Sequence, residues 1–166
     1  MRSLLSLLSI MLVMTGCAQQ AVPKPMVQST QTDKLSVADF KALWQATNTE
    51  NNTAFQISRL PHSFSDSLHL EAAIGLDQKI ERLSIIGTPQ SKKDRFMMIS
   101  CWAQLIMTMT RSAESTPVTS IFRAMGIDPN ADVTALTGAT VILNGDTYRS
   151  WHENGTYTFQ FEEDGA

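Results

Sequence analysis

Residues 34–166 predict an α+β fold: an antiparallel sheet packed on a long central helix. Three observations point there. Residues 91–113 read as one helix, apolar on almost every side, as a helix packed on several faces must be. Asn144-Gly145 and Asn154-Gly155 are strong signals for two-residue hairpin turns, because both central positions of such a turn need a positive φ. Further upstream, Leu68, Leu70, Ala72 and Ile74 alternate with His69, Glu71 and Ala73, the period of a strand with one buried face. The sheet expected is a C-terminal three-strand meander plus an N-terminal hairpin or meander.

Taken in chain order, the first element is a helix over residues 36–47. Ser36 is its candidate N-cap, and Val37, Phe40 and Trp44 recur at helical spacing. Strands are expected near 53–60, 67–75 and 78–87, with Gly75-Leu76-Asp77 turning the second into the third. The long helix carries Asp94 near its start, where a carboxylate suits the helix dipole. Thr116-Pro117 fits a cap followed by a first-turn proline, so a short helix runs to about Met125 before Gly126.

The two Asn-Gly turns fix a register for the C-terminal third. Leu143 faces Asp146 and Val141 faces Tyr148 across the first; Tyr148 faces Phe161, Ser150 faces Phe159, and His152 faces Tyr157 across the second. Paired residues share a face, so Ala139, Val141, Leu143, Tyr148, Tyr157, Phe159 and Phe161 form the buried side. The other side carries Thr147, Arg149, Thr158, Gln160 and Glu162, interrupted by Ile142 and Trp151. Trp151 is either covered by another element or belongs to a recognition patch with Ile142 and Arg149. Aromatic and arginine side chains are enriched at interaction hot spots.

Ahead of the domain, Met1-Arg2 is followed by an apolar run from Leu4 to Met14 and then by small residues, the layout of a secretory signal peptide. The run is about a dozen residues, short of the roughly 20 that span a bilayer. Met14-Thr15-Gly16-Cys17 resembles the lipobox of bacterial lipoprotein precursors, with Met14 where Leu is commonest. The resemblance implies a diacylglyceryl group on the Cys17 thiol, cleavage after residue 16 and acylation of the new N-terminus. The covalent lipid is then the only cofactor expected. Two or more acyl chains hold stably where one holds reversibly. Ala18 replaces the Asp that retains such proteins in the inner membrane, so the resemblance implies the outer membrane of a Gram-negative bacterium, with the domain in the periplasm. Ordinary cleavage after Ala18 is the alternative, and its product has no anchor.

Three segments follow: a signal peptide (1–16), a lipidated tether (17–33) and one globular domain (34–166). The tether holds Pro23 and Pro25 and no aromatic residue. Such composition cannot offset chain entropy by burial, and as a coil it reaches about 20–24 Å. The chain has 13 basic and 16 acidic residues, and losing Arg2 with the leader takes the net charge from −3 to −4. Its one basic cluster in sequence is Lys92-Lys93 with Arg95, so nucleic acid and anionic lipid are both disfavoured as partners.

Catalytic and metal signals are weak. Ser100-Cys101-Trp102-Ala103 looks like the nucleophile segment of papain-like cysteine proteases, but Arg95 stands where that family has its oxyanion-hole glutamine. Cys101 also lies inside a helix, away from the N-terminal dipole that lowers a thiol's pKa, so a buried structural cysteine is expected. His62, Asp66 and His69 have helical ligand spacing, yet Pro61 and Ser63, Ser65 and Ser67 argue for a loop leading into a strand, without the fixed geometry zinc needs. His152 is expected to be partly buried beside Tyr157. No catalytic or metal residue is assigned. The expected role is a non-enzymatic accessory or assembly factor binding another envelope protein. A small-ligand or lipid binder and a cell-envelope hydrolase are the alternatives.

Overall fold

The computed structural model describes residues 34–112, 115–127, 133, 136 and 138–163. The signal peptide, Cys17 and the tether lie outside them. Among the described residues the order is α1 (Val37–Asn51), β1 (His62–Ser65), β2 (Leu68–Ile74), β3 (Ile80–Gly87), α2 (Lys92–Thr110), α3 (Thr116–Ala124), β4 (Ala139–Leu143), β5 (Asp146–Glu153) and β6 (Thr156–Glu162). The strands form one six-stranded sheet in the order β1-β2-β3-β6-β5-β4, and every pairing is antiparallel. The class is α+β.

Each element starts where side-chain chemistry lets it. At α1, the Ser36 hydroxyl accepts the Asp39 amide N–H, and Asn52 closes the helix in the left-handed conformation. At α2, Ser91 and Asp94 form a reciprocal capping box: Ser91 Oγ accepts from the Asp94 N–H, and the Asp94 carboxylate accepts from the Ser91 N–H at 2.9 Å. The Ser91 hydroxyl above all, opposed in part by desolvation and helped by the Gln90 and Ser91 amides and the nearby Lys93 charge, holds the Asp94 carboxyl below its ordinary value. A lowered folded-state value means that the stabilisation is complete above the unfolded aspartate value of about 3.9 and is lost as pH falls through the folded one. Asp94→Asn is therefore expected to flatten the acid limb of a melting-temperature profile between neutral pH and pH ~3. Parallel profiles for the two proteins contradict this. Ser91→Ala is expected to cost about 1 kcal/mol in urea denaturation.

Asn144 and Asn154 both take positive φ, 55° and 50°, each followed by a glycine in the same region, which is why asparagine-glycine suits these turns. The pairs Val141–Tyr148, Tyr148–Phe161, Ser150–Phe159 and His152–Tyr157 follow, the register that the two turns dictate. Along the buried face of the sheet, Leu68, Leu70, Leu83, Ile85, Tyr148, Phe159 and Phe161 join one core with Phe40 and Trp44 of α1, Trp102 and Leu105 of α2, and Ile121 of α3. Trp102 stacks on Phe159 with ring centroids 5.2 Å apart. α2 touches α1, α3 and β3.

Three expectations need correction. Residues 53–60 form no strand. Their side chains do alternate, with Thr53, Phe55 and Ile57 half-buried and Ala54 and Gln56 exposed, but the backbone finds side chains in place of a neighbouring strand. The Phe55 carbonyl accepts from Trp44 Nε1 and Asn48 Nδ2, and the Ser58 carbonyl accepts from Lys41 Nζ at 2.6 Å. The first strand is β1, after Pro61. α1 runs on to Asn51, past 47, because Thr47 and Asn48 are buried through hydrogen bonds and need no apolar pattern. His152 is exposed, stacked on Tyr157 at 4.2 Å, because it sits at the hairpin end of β5 where the strand turns into β6.

Candidate functional site

The described helices all bury their side chains against one face of the sheet, which leaves the other face as the surface that β-strand alternation builds. Register places its residues in cross-strand rows. One row runs Ser63, His69, Ile86, Thr158, Trp151; the next holds Glu71, Ser84, Gln160, Arg149 and Thr140; a third holds Ala73, Arg82, Glu162, Thr147 and Ile142. An antiparallel sheet tolerates one solvated face, and most of these side chains are polar.

Ile142, Arg149 and Trp151 do lie on this one face. Ile142, on the edge strand β4, is 70% exposed, and Trp151 is 38% exposed. Ile142 pairs with Thr147 and stands about four residues along the strand from Trp151, or roughly 13 Å. Arg149 occupies the row between them. Its Nη1 donates to Glu162 Oε2 at 3.1 Å, a diagonal pair that is half exposed and contributes little to stability. Thr158, between Ile86 and Trp151, and Gln160, between Ser84 and Arg149, are buried despite their polarity. The patch is thus two apolar side chains bracketing a tethered arginine, on a polar ground.

At the opposite edge of the sheet the chain forms an open cleft of about 930 Å³ lined by residues 58–63 and 69–71, among them Arg59, His62, Ser63, His69 and Glu71. Sequence reasoning weighed His62 and His69 as metal ligands at helical spacing, and His62 as a member of a hydrolase cleft with His152 or Cys101, and missed this cleft. The cross-strand pairing of Ser63 with His69 brings it together, and that pairing depends on a bulge in β1 that no local sequence signal announces. Ser63 Oγ lies 3.0 Å from His69 Nδ1. The His62 ring meets Phe64 edge-on at 4.9 Å. Asp66 sits exposed in the turn beyond β1, away from the cleft lining.

Cys101 is fully buried, and burial alone pushes its thiol well above the ordinary value. A neutral, inaccessible thiol is not a nucleophile. The folded Cys17→Ser chain is expected to leave an aromatic disulfide reagent unreacted over hours and to react promptly once unfolded; fast reaction of that folded chain contradicts the burial of Cys101. Nor are the histidines gathered around it: His62 on β1 and His152 on β5 are four strands apart, about 19 Å. No group of histidine, cysteine and carboxylate side chains among the described residues is placed to hold a metal ion, and no described helix is long and apolar enough to cross a membrane. No family model matches the chain, and neither does any curated protein or solved structure.

Proposed function

We propose that this chain is a lipoprotein, anchored through Cys17 to the outer membrane of a Gram-negative bacterium, whose domain binds another envelope protein without catalysing a reaction. The signal-peptide layout and the lipobox-like Met14-Thr15-Gly16-Cys17 support the anchor. The observation that carries the binding role is Trp151, a large aromatic side chain left 38% exposed on the face that the described helices leave open, beside Arg149 paired with Glu162. Trp and Arg are the side chains that most often dominate binding energy at a protein interface. In this account α2 is the central helix and β4, β5 and β6 form the meander that presents the patch. The tether sets the reach of that patch above the membrane.

The test is cross-linking in living cells followed by pull-down and mass spectrometry, with the Cys17 chain compared with a secreted Cys17→Ser chain. One dominant envelope protein is expected with the anchored form, reduced at least tenfold by Trp151→Ala, since a hot-spot truncation costs about 2 kcal/mol or more. A well-anchored bait that enriches no protein sinks the proposal. A small-ligand-binding lipoprotein is the second reading, and the cleft of about 930 Å³ beside β1 favours it. That volume falls in the range of small-molecule sites, roughly 300–1,000 Å³.

A further inference from the structure

We infer that the cleft beside β1 is a binding site for a small anion carrying a phosphate or carboxylate group. The inference rests on the small-ligand reading and is independent of both the anchor and the Trp151 patch. Two donors face this space, the Arg59 guanidinium and the His69 imidazole oriented by the Ser63 hydroxyl, while His62 pairs with the core residue Leu70 and turns its ring to the opposite face. Arg59 forms no ion pair among the described residues. Its N–H fork is therefore free for the planar, two-point contact that guanidinium makes with carboxylate and phosphate.

His69 is held in place by the bond between its Nδ1 and Ser63 Oγ. That engages one ring nitrogen and leaves Nε2 for a ligand, the arrangement by which a fixed imidazole becomes a directed donor. His62 meets Phe64 on the opposite face and contributes only the edge of the lining. Lys41, whose Nζ is fixed on the Ser58 carbonyl, adds a further positive charge at the rim. Glu71 is the one carboxylate in the lining. It disfavours polyanions, and it accepts from a hydroxyl or ammonium group, so the ligand favoured is a small anion that also bears such a donor.

The chain contains three histidines, and the third, His152, stacked on Tyr157 about 19 Å away across the sheet, is a built-in control. Inorganic phosphate and, separately, acetate are titrated into the secreted Cys17→Ser chain at constant ionic strength while the imidazole resonances are followed by NMR. A saturable shift is expected at His69 and none at His152. The stronger of the two probes identifies the anionic group. Arg59→Gln, an exposed position where folding is not at risk, is expected to weaken binding about tenfold or more, the worth of a hydrogen bond to a charged group, and Ser63→Ala severalfold. Shifts that grow linearly without saturating, that chloride reproduces, that His152 shares, or that survive Arg59→Gln unchanged overturn the site. Failure here leaves the protein-binding proposal standing, because that proposal is read by the Trp151→Ala pull-down.

Discussion

Replacing Trp102 with alanine is expected to destabilise the domain by about 3–5 kcal/mol, the cost of truncating a large aromatic in a closed core. Trp102 is fully buried, stacks on Phe159 and sits on the helix that touches α1, α3 and β3, so no single element can collapse into the space. The same region holds an oddity with the opposite sign. Among the described residues, Trp102 Nε1, Tyr148 Oη and Ser150 Oγ are buried side-chain polar atoms without a hydrogen-bond partner, and all three residues surround Phe159: one stacks on it, one lies 6.2 Å away ring to ring, and one is its cross-strand partner. Burial, with a smaller effect from Asp146, also pushes the Tyr148 phenol above its ordinary range. A buried unpaired polar group costs roughly 1–3 kcal/mol. Tyr148→Phe and Ser150→Ala are therefore expected to be neutral or to stabilise by up to about 1 kcal/mol, against the usual direction for a core substitution. Urea denaturation midpoints for the three variants decide it. A loss of about 2 kcal/mol in Tyr148→Phe contradicts the unpaired hydroxyl.

Asn48→Ala is expected to cost about 2–3 kcal/mol and to loosen residues 53–61 first. Asn48 is buried at the end of α1; its amide nitrogen donates to the Phe55 carbonyl and its amide oxygen accepts from the Thr53 hydroxyl. Gln104 on α2 closes the same network, donating to the Trp44 carbonyl at 3.2 Å and accepting from Thr53 at 3.1 Å. Removing one member strands buried partners, each at about 1–3 kcal/mol. Hydrogen exchange and limited proteolysis report where the loss falls. Protection that fades selectively in residues 53–61 while β3 and β6 hold is the expected result; uniform loss across the domain contradicts a local clamp. Arg59 and the β1 edge lie at the end of this clamped stretch, so its rigidity also sets the shape of the cleft.

The same network explains what the sequence could and could not reveal. The C-terminal strands were legible because Asn-Gly turns are local chemistry: two residues decide φ, φ decides the turn, and the turn decides every pair from Ala139–Ser150 to Glu153–Thr156. The start of α2 was legible at Asp94 for a similar reason. Residues 53–60 misled because alternation in burial is necessary for a strand but does not supply a partner, and here the partners are Trp44, Asn48 and Lys41 side chains. The exposed side of Trp151 followed from strand parity. The cleft did not: Ser63 and His69 are brought together beside the Arg59 segment by a bulged pairing of β1 with β2, which no local pattern specifies.

The most direct test of the central claim, that the face the described helices leave open meets a partner protein, is site-specific photo-cross-linking in intact cells from the anchored chain. A photoreactive residue is placed in turn at Ile142, at Trp151 and at Leu76, which is fully exposed in the turn between β2 and β3. Positions 142 and 151 are expected to trap the same envelope protein, and position 76 to trap none of it. No adduct at 142 and 151, or the same adducts from all three positions, contradicts the claim.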